Sequence, residues 1–196
     1  MARLNTLAVS ALALLEEQEM HPYEMYQVML RRREDRVIKV NAGSLYRAVE
    51  RLAAAGLISS HAPERDGNRP ERTVYTITDA GRDALRAALE QMLGEYVNEY
   101  PAFPVAIREA RNLPPELVLA QLRGRLAAVL TAVKATDASL ERIAEKALPR
   151  HLVLDVHYTR AMLVAEAQWL RQTIYEFETG RLDWHASRVD EIAGVR

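Results

Sequence analysis

The stretch that decides the fold is NAGSLYRAVERLAAAGLI, from Asn41 to Ile58. When its residues are placed at about 100° intervals, one arc collects apolar side chains and predicts a helix that faces a core. That arc holds Leu45, Ala48, Val49 and Leu52. Asn41 is a favoured N-cap, and Gly56 suits the left-handed residue that ends a helix. The opposite side of the helix carries Ser44, Tyr46, Arg47, Glu50 and Arg51, a polar set that packing alone does not explain.

The segments around this stretch predict two earlier helices and a later hairpin. Apolar spacing indicates a first helix over roughly residues 3–17. Pro22 suits the first position of a second helix, which runs into the charged segment RRREDR. Downstream, LISSHAPE and RTVYTIT flank the turn-forming RDGNRP and predict a two-stranded hairpin. Three helices followed by a basic hairpin is the order of a winged helix-turn-helix, whose third helix enters the DNA major groove.

The rest of the chain is predicted to be helical. Thr78 opens a helix that ends before EYPAFPV, which is the best domain boundary, and two long helical patterns follow, separated near Pro149. The first of them alternates apolar residues at spacings of three and four, as coiled coils do. The fold class is therefore mainly α with a small β-hairpin. We expect a winged helix-turn-helix domain over 1–80, a connecting helix over 81–100, and a helical dimerisation and candidate effector domain over 101–196.

Composition narrows the class of protein. The 196 residues are 49% hydrophobic and 27% charged, and there is no cysteine, which excludes disulfides and thiolate chemistry. No apolar run approaches a membrane span, and the N-terminus shows no signal-peptide pattern, so we expect a cytoplasmic protein. The net charge is −1, but the segment from Arg31 to Arg72 has ten basic and six acidic residues. So small a local excess is also typical of an ordinary solvated face.

The polar face and the hairpin supply the candidate DNA-binding residues. Arginine pairs with guanine or phosphate, and hydroxyl groups reach phosphate oxygens. Small residues at a helix start let backbone amides approach a phosphate closely. The predicted set is Asn41, Ala42, Gly43, Ser44, Tyr46, Arg47, Glu50 and Arg51 on the helix, with Arg65, Asn68, Arg69 and Arg72 on the hairpin.

These motifs resemble a known family. GSLYRAVERLAAAGLI, followed by RTVYTITDAG, is similar to the PadR family of bacterial transcriptional regulators. HPYEMYQVM resembles the family's second helix and adds Tyr23 to the DNA-binding set, whereas Ala42 stands where relatives often place proline. The helical C-terminus resembles, in layout only, the longer-chain subgroup that dimerises through it. The resemblance implies a dimeric DNA-binding repressor that is released by a small molecule.

The last long helix is predicted to have two apolar faces. Residues such as Val153, Leu163 and Leu170 form one stripe, and Tyr158, Met162 and Trp169 form another. A helix with two apolar faces needs two neighbours, one of which is expected to be the twofold-related chain. The candidate dimer-interface residues are Val156, Met162, Leu163, Trp169, Leu170, Ile174 and Phe177.

The same helix suggests an effector site. Aromatic side chains can line a cavity for a small aromatic ligand, although plain interface core explains them as well. Arg160 occupies a core position, where a cation needs a partner such as Asp155, Glu166, a carboxylate of the second chain or an anionic effector. The candidate effector residues are Tyr158, Arg160, Trp169 and Tyr175.

Catalytic and metal-binding patterns are weak. A metal site built from His151, Asp155 and His157 is disfavoured against ordinary surface histidines. No phosphate loop or nucleophile elbow occurs, and the carboxylates of Glu166 and Glu176 have no visible catalytic partner. We therefore expect no cofactor, no metal and no enzymatic activity.

The sequence predicts a homodimeric repressor that binds a pseudo-palindromic operator in double-stranded DNA and is released by a small-molecule effector. The alternative is a winged-helix module for protein interaction without sequence-specific DNA binding. Salt-dependent binding to the DNA upstream of its own gene would separate these two hypotheses.

Overall fold

The computed structural model describes residues 4–61 and 73–184. It divides into two compact units, Met1–Glu99 and Tyr100–Arg196. The described residues confirm the predicted fold class, because they are mainly helical with one two-stranded hairpin.

The first unit follows the predicted order of elements. Its elements are α1 (Thr6–Glu17), α2 (Pro22–Arg32), α3 (Ala42–Ala54), β1 (Ile58–His61), β2 (Val74–Ile77) and α4 (Asp79–Gly94). Side-chain caps fix the helix starts, since Asn41 Oδ1 accepts from the Ser44 amide at 2.8 Å and Thr78 Oγ1 accepts from the Gly81 amide at 3.1 Å. Gly56 has a φ of 70°, which confirms the predicted left-handed end of the third helix.

The core of the first unit joins α1 to the helices and strands around it. The predicted apolar arc of α3 is buried throughout, with Leu45, Ala48, Val49 and Leu52 at most 2% exposed. These side chains pack in one cluster with residues of α1, α2, both strands and α4. The core therefore fixes which side of α3 faces outward.

The hairpin is antiparallel and is anchored at its base. Ile58 pairs with Ile77, and both are buried in the core. Met20, between α1 and α2, exchanges two backbone hydrogen bonds of 3.2 Å with Tyr75 of β2. The hairpin base is thus tied to the start of α2.

The second unit contains α5 (Ala102–Glu109), α6 (Pro115–Glu145) and α7 (Leu154–Glu178). Ion pairs join Arg123 to Glu178 and Asp137 to Arg160, so α6 and α7 run antiparallel. Their shared core includes Leu122, Val129, Ala167, Leu170 and Ile174.

The sequence pattern does not predict helix α5, since it indicates a domain boundary at EYPAFPV. Pro104 is the third residue of this helix. Proline is tolerated there because the first-turn amides of a helix have no intrahelical acceptor. Phe103 and Ile107, one turn apart, pack onto the core of the second unit and hold the helix in place.

None of the helices in the described ranges combines the length and apolar character that a membrane crossing requires.

Candidate nucleic-acid interface and C-terminal cleft

The outward face of α3 is exposed as the sequence predicts. Arg47, Glu50 and Arg51 are exposed, and Tyr46 is 38% exposed. Within residues 4–61 and 73–184 none of the three charged side chains forms an ion pair. Arg32 and Arg82 on other surfaces are paired with Glu17 and Glu16. The charges of α3 therefore remain available to an external partner.

The first turn of α3 is open. Asn41, Ala42 and Gly43 are exposed, and Arg47 Nη2 donates to Ser44 Oγ at 3.2 Å. A Cβ added at Gly43 would meet Arg47 Nη1 at 3.7 Å, an ordinary contact, so packing within the chain does not require glycine here. The Ser44 amide is used by the Asn41 cap, which leaves the amides of Ala42 and Gly43 for a phosphate.

Tyr23 lies at the start of α2 and is 52% exposed. His21, two residues before Tyr23, is the N-cap of α2, and its ring contacts Tyr46 of α3 edge-on with ring centroids 6.2 Å apart. The His21 imidazole thus contacts the Tyr46 ring and also accepts a hydrogen bond from the backbone amide of Tyr23.

The hairpin residues predicted to bind DNA are Arg65, Asn68, Arg69 and Arg72. All four lie outside the described residues. Their role remains a prediction from the sequence.

The dimer-interface residues separate into two groups. Leu170 and Ile174 are buried against α6 of the same chain, at 0% and 7% exposure, and Leu163 and Phe177 pack partly against that core. Val156 is half-buried. Met162 and Trp169, by contrast, are 54% and 44% exposed. Their exposed side chains are the ones in this set that can contact a second chain.

Trp169 also lines a cleft against α5. Its ring meets Phe103 nearly perpendicularly, with centroids 5.9 Å apart. The Arg125 guanidinium covers the Phe103 ring at 3.6 Å and pairs with Glu166 at 2.5 Å. The cleft has a volume of about 350 Å³ and is lined by Phe103, Pro104, Ile107, Arg108 and Trp169.

The other candidate effector residues do not line this cleft. Tyr158 and Tyr175 are separated by about 25 Å along α7, because a helix rises about 1.5 Å per residue. Tyr158 is 68% exposed, and Tyr175 lies beneath the Arg181 guanidinium at 5.2 Å. In one chain the four predicted residues therefore cannot enclose one small molecule.

Arg160 has a partner on another helix. It pairs with Asp137 of α6, whereas Glu166 pairs with Arg125. The expected pairing with Asp155 or Glu166 is thus wrong for this chain, because the antiparallel register of α6 and α7 places Asp137 opposite Arg160. The sequence contains no local signal for a contact across 23 positions.

The carboxylates and histidines in and just before α7 are spread along the chain. Glu176 accepts a hydrogen bond from Gln172 Nε2 at 2.6 Å. Across the described ranges, no three His, Asp or Glu side chains are grouped as metal ligands, and this includes His151, Asp155 and His157.

Two features of these surfaces have only a weak signal in the local sequence. Phe103 and Ile107 recur at helical spacing in AFPVAIRE, a signal that the two prolines of the segment obscured. His21 precedes a proline and stands three residues before Glu24, which is the spacing of a capping box, although histidine is not a usual cap.

Comparison with known proteins agrees with this geometry. The model of the family described as "Transcriptional regulator PadR-like family" matches residues 11–87. A search of curated protein sequences found no match.

Solved structures share the fold over most of the chain. Bacillus subtilis PadR in complex with operator DNA is 16% identical, with a TM-score of 0.73, over 88% of this chain and 99% of that chain. Bacillus subtilis PadR in complex with p-coumaric acid is 14% identical, with a TM-score of 0.70, over 89% and 98%. The PadR-like regulator BC1756 from Bacillus cereus is 15% identical, with a TM-score of 0.63, over 89% and 99%. Residues 11–87 therefore match the model of the PadR-like family of transcriptional regulators, and the chain shares the fold of the solved PadR structures over most of its length.

Proposed function

We propose that this protein is a PadR-like transcriptional regulator, a homodimeric repressor that binds a pseudo-palindromic operator through α3 and the hairpin. Residues 1–80 would bind DNA, residues 81–100 would connect, and residues 101–196 would dimerise and bind an effector. The observation that carries the proposal is the outward face of α3, where Arg47 and Arg51 are exposed without ion pairs in the described residues. Bacillus subtilis PadR, which shares the fold, was solved with operator DNA.

Each residue on this surface has a chemical role in the proposal. Arg47 and Arg51 would donate bidentate hydrogen bonds to guanine or phosphate, and Glu50 would accept from cytosine N4. The Tyr23, Tyr46 and Ser44 hydroxyls and the first-turn amides would bind phosphate oxygens, which sets the register but carries no sequence information.

The test replaces Arg47 and Arg51 with alanine, singly and together, and measures affinity for a duplex from upstream of the protein's own gene. If Arg47 contacts a base, its loss should cost about 1–3 kcal/mol and relax specificity at one position. If it contacts only phosphate, affinity should fall uniformly across sequences. Arg86→Ala on α4 is the matched control, since Arg86 is an exposed arginine away from α3 and should leave binding unchanged.

If the double variant binds the duplex with wild-type affinity, α3 is not part of the DNA interface. Absence of binding by the wild type at low salt would favour a protein-interaction module instead, because nonspecific phosphate contacts strengthen as salt falls.

The dimer is proposed to form through the outer stripe of α7, defined by Tyr158, Met162 and Trp169. All three are exposed, while the opposite side of the helix is buried on α6. A dimer also places two copies of α3 on two half-sites, which a palindromic operator requires.

The effector is proposed to be a small aromatic compound bound at the cleft of Phe103 and Trp169. Two perpendicular rings offer an apolar wall, and Arg108 at the lining, which pairs with Glu109 at 2.9 Å, would have to exchange this partner to bind an anionic group. Bacillus subtilis PadR was solved with p-coumaric acid, which makes this compound the first probe.

Tryptophan fluorescence tests the effector proposal. The chain has two tryptophans, so Trp184→Phe leaves Trp169 as the reporter. Added p-coumaric acid should quench this signal saturably, and Phe103→Ala should weaken the effect, whereas Tyr158→Phe should leave it unchanged. A signal that does not respond, or that responds equally in the Phe103 variant, would place the ligand elsewhere.

A further inference from the structure

His21 stands where three parts of the first unit meet. Its predecessor Met20 is paired with Tyr75 of the hairpin through two backbone hydrogen bonds of 3.2 Å. The His21 carbonyl accepts from the amides of Glu24 and Met25 at 2.8 Å and 3.1 Å, which begins α2. The main chain at His21 is therefore held by the hairpin on one side and by α2 on the other.

Within the described residues, the His21 side chain contacts both α2 and α3. Its Nδ1 accepts a hydrogen bond from the Tyr23 amide at 3.1 Å, and Glu24 Oε2 accepts from the His21 amide at 3.0 Å, which completes a capping box. Because Nδ1 accepts, it carries no proton in this arrangement. The ring also meets Tyr46 of α3 at 6.2 Å between centroids, with an angle of 73° between the planes.

The usual capping residues could not make both contacts. Asparagine, aspartate and serine offer an acceptor for the second or third amide of a helix, but they have no ring. An aromatic ring at this position would meet Tyr46 edge-on, within the separation that such pairs favour, but a phenyl ring offers no acceptor. Imidazole supplies both properties in one side chain.

We propose that His21 is a positioning residue of the DNA interface, which holds the main chain at Tyr23 through its cap and the side chain of Tyr46 through its ring. This inference rests on the proposed DNA binding by α3. Both tyrosines are exposed, and a residue whose main chain or side chain is already held in place loses less freedom when it binds a phosphate. His21 thus contributes to operator affinity through these two residues.

Two variants separate the two contacts. His21→Asn keeps the cap acceptor and removes the ring, whereas His21→Phe keeps a ring and removes the acceptor. Each is measured in the wild-type chain and in a Tyr46→Leu background, by affinity for the same upstream duplex at fixed salt and by thermal unfolding. We expect His21→Asn to bind roughly two- to tenfold more weakly, from the ordering of one side chain.

The Tyr46→Leu background gives the decisive comparison. In this background His21→Asn should no longer weaken duplex binding, because the Tyr46 ring through which it acts is already absent. His21→Phe should still weaken binding, because it removes the cap that holds the main chain at Tyr23. A His21→Asn effect that adds in full to that of Tyr46→Leu would overturn the inference, since His21 would then contact DNA directly or act through the fold.

Unchanged affinity in His21→Asn, with the wild type still binding, would overturn the inference and leave the proposed function standing. Failure of the wild type to bind the duplex would instead count against the proposed function. The thermal midpoint identifies a variant whose weaker binding follows from unfolding, and His21→Asn, which keeps the cap, should unfold close to the wild type.

Discussion

Gly81, in the first turn of α4, is the glycine that the fold constrains most tightly among those described. A Cβ at this position would lie 2.0 Å from the carbonyl oxygen of Leu57 and 2.8 Å from Cγ1 of Ile77. The first of these atoms belongs to the backbone and cannot rotate away. The close approach of α4 to the hairpin base therefore depends on the missing side chain.

Replacing Gly81 with alanine should therefore destabilise the first unit. Overpacking of this kind costs about 1–3 kcal/mol, which chemical denaturation would measure. Gly124→Ala is the matched control, because a Cβ there meets nothing within 4 Å in the interior of α6. That substitution should stabilise the chain by about 0.5–1 kcal/mol, since alanine is the better helix former. A neutral Gly81→Ala would contradict the close approach of the two backbones.

At the scale of the element, an ion pair joins the ends of α1 and α2. Arg32 donates to both carboxylate oxygens of Glu17 at 2.6 Å. The hydrogen bond from Arg32 holds the pKa of Glu17 below its ordinary value, and burial raises the pKa of nearby Glu34. Ionisation of the Glu17 carboxyl group therefore stabilises the fold, whereas ionisation of Glu34 destabilises it.

Glu17→Gln should cost about 0.2–1 kcal/mol at neutral pH, since both partners are about half exposed. A carboxyl group whose pKa is lower in the folded state stabilises the fold at pH values above its unfolded-state pKa. That contribution disappears as the pH falls through the folded-state pKa. Thermal unfolding from pH 7 downward should therefore show the variant and the wild type converging in acid. Glu90→Gln, an exposed control on α4, should show no such convergence. A constant difference at all pH values would contradict the ion pair.

The arginines of the hairpin should contribute to the salt dependence of DNA binding. Replacing Arg65, Arg69 and Arg72 together should lower the salt dependence of DNA binding, because each lost phosphate contact reduces the log–log slope by about 0.9. Specificity should change less than affinity, because phosphates carry no sequence information. An unchanged slope in filter-binding or fluorescence titrations would show that these arginines do not contact DNA.

For the whole molecule, two substitutions in α7 should have different outcomes. Leu170 is 0% exposed within its own chain, so Leu170→Glu should unfold the second unit by burying an unpaired carboxylate. Met162 is 54% exposed, so Met162→Glu should leave the fold intact and dissociate the proposed dimer. Sedimentation and circular dichroism together distinguish these outcomes.

Gln168→Glu is the control, because Gln168 is exposed on α7 about 120° around the helix from Met162. It should remain a dimer. Operator binding should fall with dimer dissociation in Met162→Glu, since one winged helix covers only a half-site. A wild type that sediments as a 22.2 kDa monomer at micromolar concentration would contradict the interface.

The sequence by itself determined the elements of the first unit and the orientation of α3. The arc from Leu45 to Leu52, the Asn41 cap and Gly56 act over a few residues, so the pattern specifies them without knowledge of the rest of the chain. The hairpin follows from the same kind of local signal, and the family resemblance follows from these motifs.

Only the tertiary structure decided which stripe of α7 is buried, which partner Arg160 has, and how His21 reaches Tyr46. Both stripes of α7 are apolar, so periodicity cannot rank them, and the register of α6 against α7 selects the Leu170 side and places Asp137 opposite Arg160. The contact of His21 with Tyr46 likewise depends on how α2 crosses α3. Contacts between distant residues are set by packing over whole elements, and a local pattern does not contain that information.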